Sequence, residues 1–494
     1  MTERLCLETL PRLDTAHRPA VEPGALSCGI VHLGIGAFHR AHQAVYTEAA
    51  AAATGSSDWG ICGVSQRSPG VLNTLAPQDF LYSVLEREKD ESRLRVVGSL
   101  REVLFAGADP DLVIARLAAP TTRIVSLTVT EKGYHADLAT GRLRVDEEVR
   151  ADLGARVPRT AVGQLVRGLQ RRRAEDAGPL TIIPCDNVSA NGRTAETVVR
   201  DFCRLLPEES TDGLEEWISE NVAFPSTMVD RIVPATSEEA VHEVQRRLGL
   251  RDEAALVTET FTQWVVEDRF RGARPAWEQV GVTFTHDVTP YELMKLRLVN
   301  ASNSALAYLG LLAQLPHISD AVDVPEFAAY ADALVRREMA PTIDAPPGTD
   351  VDAFCAGVVR RFGNPWLRHR TRQVAMDGTQ KIPQRLLRPM AESRAAGREP
   401  VLAALAVAAW MAYVGSAASG GYEWSLEDPL ADELIRVTGS AGSSAQRLVT
   451  GLLGMQRVFP DDVAQDEWFR ATLTDMVADL GRFGPHAVVD AVLG

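Results

Sequence analysis

The segment CGIVHLGIGAFHRAHQAVYTEAAAAA, Cys28 to Ala53, decides the fold. A short apolar β run is followed by a glycine turn and then by a helix-forming stretch. The turn carries Gly34-x-Gly36. Glycine is needed where a turn is tight and where a phosphate must approach the backbone. A helix beginning just after it offers free amide groups and a positive dipole end to a pyrophosphate. Gly34, Ile35, Gly36, Ala37 and Phe38 are therefore candidates for a dinucleotide site. His39 stands where the third glycine of GxGxxG would be. Arg40, between His39 and His42, reads as a phosphate contact or as part of a solvated helix start, in preference to a metal-binding histidine pair.

Outward from this segment, further strand candidates are WGICGVS (Trp59–Ser65), RIVSLTVT (Arg123–Thr130) and PLTIIPCDN (Pro179–Asn187). Helix-forming stretches such as Thr160–Ala174 lie between them. Apolar strands alternating with helices predict a mostly parallel α/β sheet of Rossmann type. Thr128 and Asn187, near the carboxyl ends of two of these strands, join the cofactor-side candidates. The usual acidic residue after the second strand, which would hold a ribose 2′-hydroxyl, is missing. Arg67 and Ser68 stand there in GVSQRSPG, which leaves NAD and NADP both open. From about Thr289 strand signals give way to long helical segments. The expected domains are a dinucleotide-binding domain over 1–287 and a mainly helical substrate-binding domain over 288–494.

Composition narrows the class. Fifty-one basic residues against 66 acidic ones give a formal net charge of −15, which disfavours nucleic-acid binding. Six scattered cysteines with no CxxC spacing suit free thiols in a reducing cytoplasm. The N-terminal MTERLCLETLPRLD has no apolar core and does not read as a signal peptide. The most apolar run, Val401–Val414, is 14 residues long, so a buried helix is expected rather than a membrane span.

A second stretch, TPYELMKLRLVNASNSALAYLG (Thr289–Gly310), is helical and largely apolar, yet it holds Lys295, Arg297, Asn300 and Asn303. Thr289 to Glu292 reads as a capping box. At 100° per residue, Lys295, Asn303 and Asn300 share one wide face. A buried lysine has a lowered pKa and can act as a general base near neutrality. Neighbouring amides can donate to an oxygen that gains charge. A base with oxyanion donors suits alcohol oxidation by hydride transfer. The alternative is a snorkelling Lys295 and Arg297 with amides satisfied in the core.

KLRLVNASNSALAYLG resembles the signature helix of the long-chain mannitol dehydrogenase family. IVHLGIGAFHRAHQAVYT, SLTVTEKGYH, CDNVSANG, FPSTMVDRIVP and LRHRTRQVAMDGTQKIPQRLL fit it too, in the family's order from Ile30 to Leu387. The resemblance implies a two-domain, metal-independent, NAD(P)-dependent polyol oxidoreductase. It implies Lys295 as general base, Asn191 and Asn300 as the oxyanion pair, and Asp230 as an acid tuning the lysine. It further implies Glu131 in proton exit, and Lys381 in substrate binding. The family helix usually has histidine where this chain has Asn303, and some members carry a substrate arginine where this chain has Gln373. Arg370, Arg372 or Arg385 can meet a carboxylate. The leading expectation is interconversion of an acyclic polyol and a ketose, mannitol to fructose being the type reaction. Fructuronate reduction to mannonate and a non-catalytic dinucleotide sensor are the alternatives. Oligomeric state is not set by the sequence.

Overall fold

The computed structural model describes residues 2–137 and 140–494. The chain divides into two compact units, Met1–Thr289 and Pro290–Gly494.

Among the described residues the N-terminal unit holds twelve strands: β1 Cys28–Leu33, β2 Gly60–Ser65, β3 Tyr82–Arg87, β4 Ser92–Val97, β5 Leu100–Phe105, β6 Ile124–Leu127, β7 Leu180–Pro184, β8 Val222–Ala223, β9 Thr227–Asp230, β10 Leu256–Thr258, β11 Gln263–Glu267 and β12 Thr283–Thr285. Six form one sheet in the order β5-β2-β1-β6-β7-β8, with every pairing parallel. Within that sheet the chain runs third, second, first, fourth, fifth, sixth, the doubly wound order of a Rossmann fold. The order reverses between β1 and β6.

The strands are readable in the sequence because both faces are covered. β2, β6 and β7 are buried throughout, so they read as continuous apolar runs. Alternate residues of β1 feed two cores. Val31 and Leu33 pack with the helices Ala161–Ala174 and Asn191–Leu205, while Ile30 packs with the side holding Ala44, Tyr46 and Trp264. Two smaller three-stranded sheets, β10-β3-β4 and β12-β11-β9, complete the unit. Neither was anticipated. β9, β10 and β12 are three or four residues long, too short to carry a periodic signal.

The C-terminal unit is helical. Its centre is Val401–Ala418, packed against Ala301–Leu312 and Glu467–Leu493. At 18 residues it outruns the expected 14, because Gly415–Ala418 continue the helix. It is long and apolar enough to cross a membrane by length and composition, yet 67% of it is buried within the protein. The Glu338 carboxylate accepts from the amides of Leu402 and Ala403, both at 2.8 Å, and so satisfies the start of this helix. The Tyr330 hydroxyl donates to Leu402 O at 2.7 Å.

Candidate active site

In the N-terminal unit the site begins where β1 ends. Gly34 has φ +93°, and a Cβ there would lie 2.2 Å from the carbonyl oxygen of Thr128. Only glycine allows the turn to press against the end of β6. The amides of Gly34 and Ile35 both donate to Val64 O, at 2.9 and 3.1 Å. A Cβ on Gly63 would sit 2.2 Å from Ile35 Cδ1, so that second glycine makes room for the turn's one apolar side chain.

The turn is also held from below. Thr128 Oγ1 donates to Gly34 O at 2.8 Å. Having spent its proton, that hydroxyl accepts from His32 Nε2, also at 2.8 Å. His32 Nδ1 is then the acceptor for Ser126 Oγ at 2.8 Å. Burial pushes His32 down to about 3, so the ring is neutral. His39 stacks on it with centroids 3.4 Å apart and is likewise held well below the usual histidine range by burial.

A cleft of about 980 Å³ opens at this end of the sheet. Gly34, Ile35, Gly36, Arg67 and Thr128 line it, as do Gln66, Lys132 and Arg159, which sequence reasoning did not single out. Ala37 and Phe38 begin the short helix Ala37–Ala41 and are half-buried; Phe38 stacks on His42. The helix breaks at His42 and resumes at Gln43. Ser68 is exposed beyond the cleft lining, its carbonyl accepting from Ser65 Oγ, and Asn187 is exposed after β7.

Arg40 departs from expectation. It is buried, donates to Ala254 O at 3.0 Å, and lies over the Tyr82 ring. Its guanidinium supports the core and does not line the cleft.

Asn191 opens the helix Asn191–Leu205 after Ala190, which is left-handed at φ +46°. The buried side chain donates to Asp186 O (3.1 Å) and Thr227 O (2.9 Å) and accepts from Thr227 N (2.9 Å), tying this turn to β9. Asp186 was missed, although an acid directly after a buried apolar strand is a visible signal. Its carboxylate accepts from Val129 N, Thr130 N and Tyr134 OH at 2.8–3.1 Å, and burial raises it to about 6. Glu131 follows on the short helix Thr130–Gly133 and is exposed. Asp230 is buried at the end of β9. Its neighbour Arg231 does not turn toward it but bonds Glu86 (2.6 Å), Glu259 O and Ala41 O. Successive strand residues point to opposite faces.

In the C-terminal unit the signature helix is not a uniform α-helix. Thr289–Met294 is α-helical, Lys295–Asn300 is a π-helical turn, and Ala301–Leu312 is α-helical again. The Ala301 amide donates to Leu296 O, the five-residue spacing of a π turn. Such turns concentrate at functional sites. The widened turn brings Asn300 nearer the Lys295 face than the 140° expected for residues five apart in an α-helix. The Asp287 carboxylate accepts from Thr289 N at 2.9 Å where the helix starts.

Lys295 is buried and Asn300 half-buried. Asn303 is half-buried, with its buried Oδ1 unpartnered among the described residues. Arg385 Nη1 donates to Asn300 O (3.3 Å) and Ser304 Oγ (2.9 Å), an arrangement that fixes the end of the π turn. Lys381 Nζ donates to Val374 O at 3.1 Å. Gln373 is exposed. Arg372 is paired with Glu427 and lies over Trp424, so its charge is already engaged. Arg297 has its explanation: it is an anchor. It grips Glu392 with two bonds and donates to Thr342 O.

The fold and the cleft define the class, a Rossmann-type protein with a cleft at the glycine turn of its parallel sheet. The mannitol dehydrogenase Rossmann domain matches residues 28–279, and the mannitol dehydrogenase C-terminal domain matches 287–480. The chain belongs to the mannitol dehydrogenase family. It is 41% identical over 482 residues to the D-mannonate oxidoreductase of Escherichia coli K12, covering 96% of this chain and 98% of that one. It is 36% identical over 495 residues to the mannitol 2-dehydrogenase of Phaeosphaeria nodorum, covering 99% and 85%. The Pseudomonas fluorescens mannitol 2-dehydrogenase, solved as a ternary complex with NAD and D-mannitol, superposes with a TM-score of 0.89 at 35% identity, covering 99% of both chains.

Proposed function

We propose that the protein interconverts a secondary alcohol of an acyclic polyol and the corresponding ketone, with mannitol and fructose as the type pair and a nicotinamide dinucleotide as redox partner. The observation that carries this reading is the π turn that begins at buried Lys295 and ends at Asn300, within a chain that matches the mannitol dehydrogenase family in both units.

The residues of the cleft fit a dinucleotide. Gly36 lines the cleft with room where a Cβ would stand, so a phosphate can approach its backbone, and Arg67, Lys132 and Arg159 supply positive charge along the lining. When bound, the nicotinamide supplies the hydride acceptor or donor. Gly34, Ile35, Gly36 and Thr128 would hold the dinucleotide, and the N-terminal unit is thus read as the cofactor domain.

The protein's own residues supply the proton chemistry. Lys295 takes the proton of the reacting hydroxyl, and no metal is needed to acidify it. Asn300 donates to the oxygen as charge develops there. The family resemblance assigns Asn191, in the N-terminal unit, an oxyanion role as well; its amide bonds Asp186 O and Thr227 O. The family resemblance assigns Asp230, buried at the end of β9, the role of a tuning acid, and exposed Glu131 a role in proton exit. In the C-terminal unit, read as the substrate domain, Asn303, Lys381 and Gln373 contact substrate hydroxyls. Six free cysteines agree with a cytoplasmic location.

A second reading, interconversion of mannonate and fructuronate, is favoured by the 41% identity to a D-mannonate oxidoreductase over nearly the whole chain. Arg385, and Arg372 if it leaves Glu427, would then meet the carboxylate. The test is steady-state assay of the purified protein with NAD and NADP against mannitol, sorbitol, arabinitol, fructose, mannonate and fructuronate. Turnover of the polyols supports the first reading, and turnover confined to the sugar acids selects the second. Activity with none of them would sink both and leave a dinucleotide sensor.

A further inference from the structure

We propose that the cleft of the N-terminal unit contains a 2′-phosphate subsite, with Arg67 as its principal ligand, so that the protein binds NADP(H) at least as well as NAD(H). The proposal rests on the reading of this cleft as a dinucleotide site.

In dinucleotide-binding folds the residues just past the second strand discriminate the two cofactors. A carboxylate there accepts from the ribose 2′-hydroxyl and repels a phosphate; an arginine accommodates the phosphate. Here β2 ends at Ser65, and Gln66, Arg67, Ser68 and Pro69 follow. No carboxylate is present on this turn. Gln66, first after the strand, is locked to Gln164 by reciprocal amide bonds of 2.9 and 3.2 Å. It is neutral and its side chain is engaged with the helix Ala161–Ala174.

Arg67 has the opposite character. It lines the cleft, and it forms no hydrogen bond or ion pair with any described residue. A guanidinium offers five N–H donors in a planar fork matched to phosphate oxygens. All five are uncommitted here. The bond from Ser65 Oγ to Ser68 O closes the turn and places Arg67 at the cleft wall.

The acids on the lining do not cancel this arrangement. Asp152 is consumed by Arg159 N, Thr160 N and Thr160 Oγ1 at 2.6–2.8 Å. Glu148 faces His135 Nε2 at 3.6 Å. Glu147 is exposed on the same short helix, Glu147–Gly154, and neither it nor Glu148 is paired with Arg67. Arg159 and Lys132 lie on the lining with them. Charge over the whole lining is balanced, so the preference for a phosphate is local to the turn after β2.

Isothermal titration of the full-length protein with NADPH and NADH provides the test, with 2′-AMP against 5′-AMP as minimal probes. The expected result is NADPH binding equal to or tighter than NADH binding, and steeper weakening of NADPH with salt. Arg67→Ala is expected to reduce the NADPH-to-NADH affinity ratio about tenfold or more, the scale of a lost charge-assisted pair. Arg67→Lys should recover part of the ratio, and Arg67→Glu should invert it. NADH binding tenfold tighter than NADPH in the unaltered protein would overturn the proposal, as would equal losses for both cofactors in Arg67→Ala. If neither dinucleotide binds, the dinucleotide reading of the cleft falls and the subsite falls with it.

Discussion

Arg297 and Glu392 meet through two parallel N–H···O bonds, Nη1 to Oε2 at 2.5 Å and Nη2 to Oε1 at 2.8 Å. The arginine side chain is only 3% exposed, and it sits within the π turn that starts at Lys295. A second bond from Nη1 reaches Thr342 O. The charge in the middle of an apolar helix is thus a fastener, pinning the turn to the helix Arg388–Ala395 and to the 3₁₀ turn Ala340–Thr342.

Removing the fastener should therefore loosen the turn. Arg297→Ala leaves Glu392 with only the longer contact from exposed Arg388 Nε, at 3.4 Å, and Thr342 O without its donor. The expected loss is on the order of 3 kcal/mol, at the low end for a broken buried pair because Glu392 is 40% exposed. Arg297→Lys keeps the charge but cannot make the fork, and should recover only part of the loss. Thermal melting of the two variants checks this. A melting temperature unchanged in Arg297→Ala would refute the anchoring role.

Lys295→Ala should lower turnover by about 10²–10⁴-fold, the usual contribution of a positioned general base. Dinucleotide affinity should change little, because Lys295 is not one of the residues lining the cleft. Small exogenous amines should restore part of the rate. Stopped-flow single-turnover measurements separate chemistry from binding. Full retention of the chemical rate would remove Lys295 from the mechanism.

Gly34→Ala tests the turn. The residue would have to hold φ +93° with a Cβ 2.2 Å from Thr128 O. Backbone in this region costs a non-glycine residue about 1–2 kcal/mol, before the clash is counted. The turn must move, so both melting temperature and dinucleotide affinity should fall. Calorimetric titration with NADH that matches the unaltered protein would contradict this account of the turn.

The buried histidine beneath the turn predicts a pH dependence with a definite sign. His32 is held at about 3 in the folded protein and would titrate near 6.5 when unfolded. The unfolded chain therefore takes up a proton that the folded one refuses. This contribution is fully present above about pH 6.5 and is lost as pH falls toward the folded value. Each such group steepens the loss by up to about 1.4 kcal/mol per pH unit. Denaturant melts between pH 8 and 5 should show a shallower decline for His32→Gln than for the unaltered protein. Identical slopes would show that the pair with His39 does not govern acid stability.

Much of the fold was legible because of how burial acts on composition. β1, β2, β6 and β7 lie in a parallel sheet covered on both faces, and such strands are predominantly apolar, with polar side chains such as His32 and Ser126 bonded to each other. The glycine turn was legible because Gly34 alone satisfies both the positive φ and the approach of Thr128 O. Lys295 and Asn300 stood out because polar side chains in an apolar helix need a reason.

Other features depended on partners distant in the chain. Arg40 reads as a surface cation beside a glycine turn, yet Ala254 O, more than two hundred residues on, takes it into the core. Arg297 had no local explanation because Glu392 lies on another helix. The π turn cannot be read from a periodicity that assumes uniform α-helical spacing. The sequence by itself determined the class of fold, the place of the glycine turn and the identity of the polar residues in the signature helix, since burial and backbone geometry restrict residue type locally. Only the tertiary structure decided which charges are spent and which are unspent, because hydrogen bonds and ion pairs are satisfied in space and not along the chain. Arg40, Arg297 and Arg372 are committed to protein partners, and Arg67 is not.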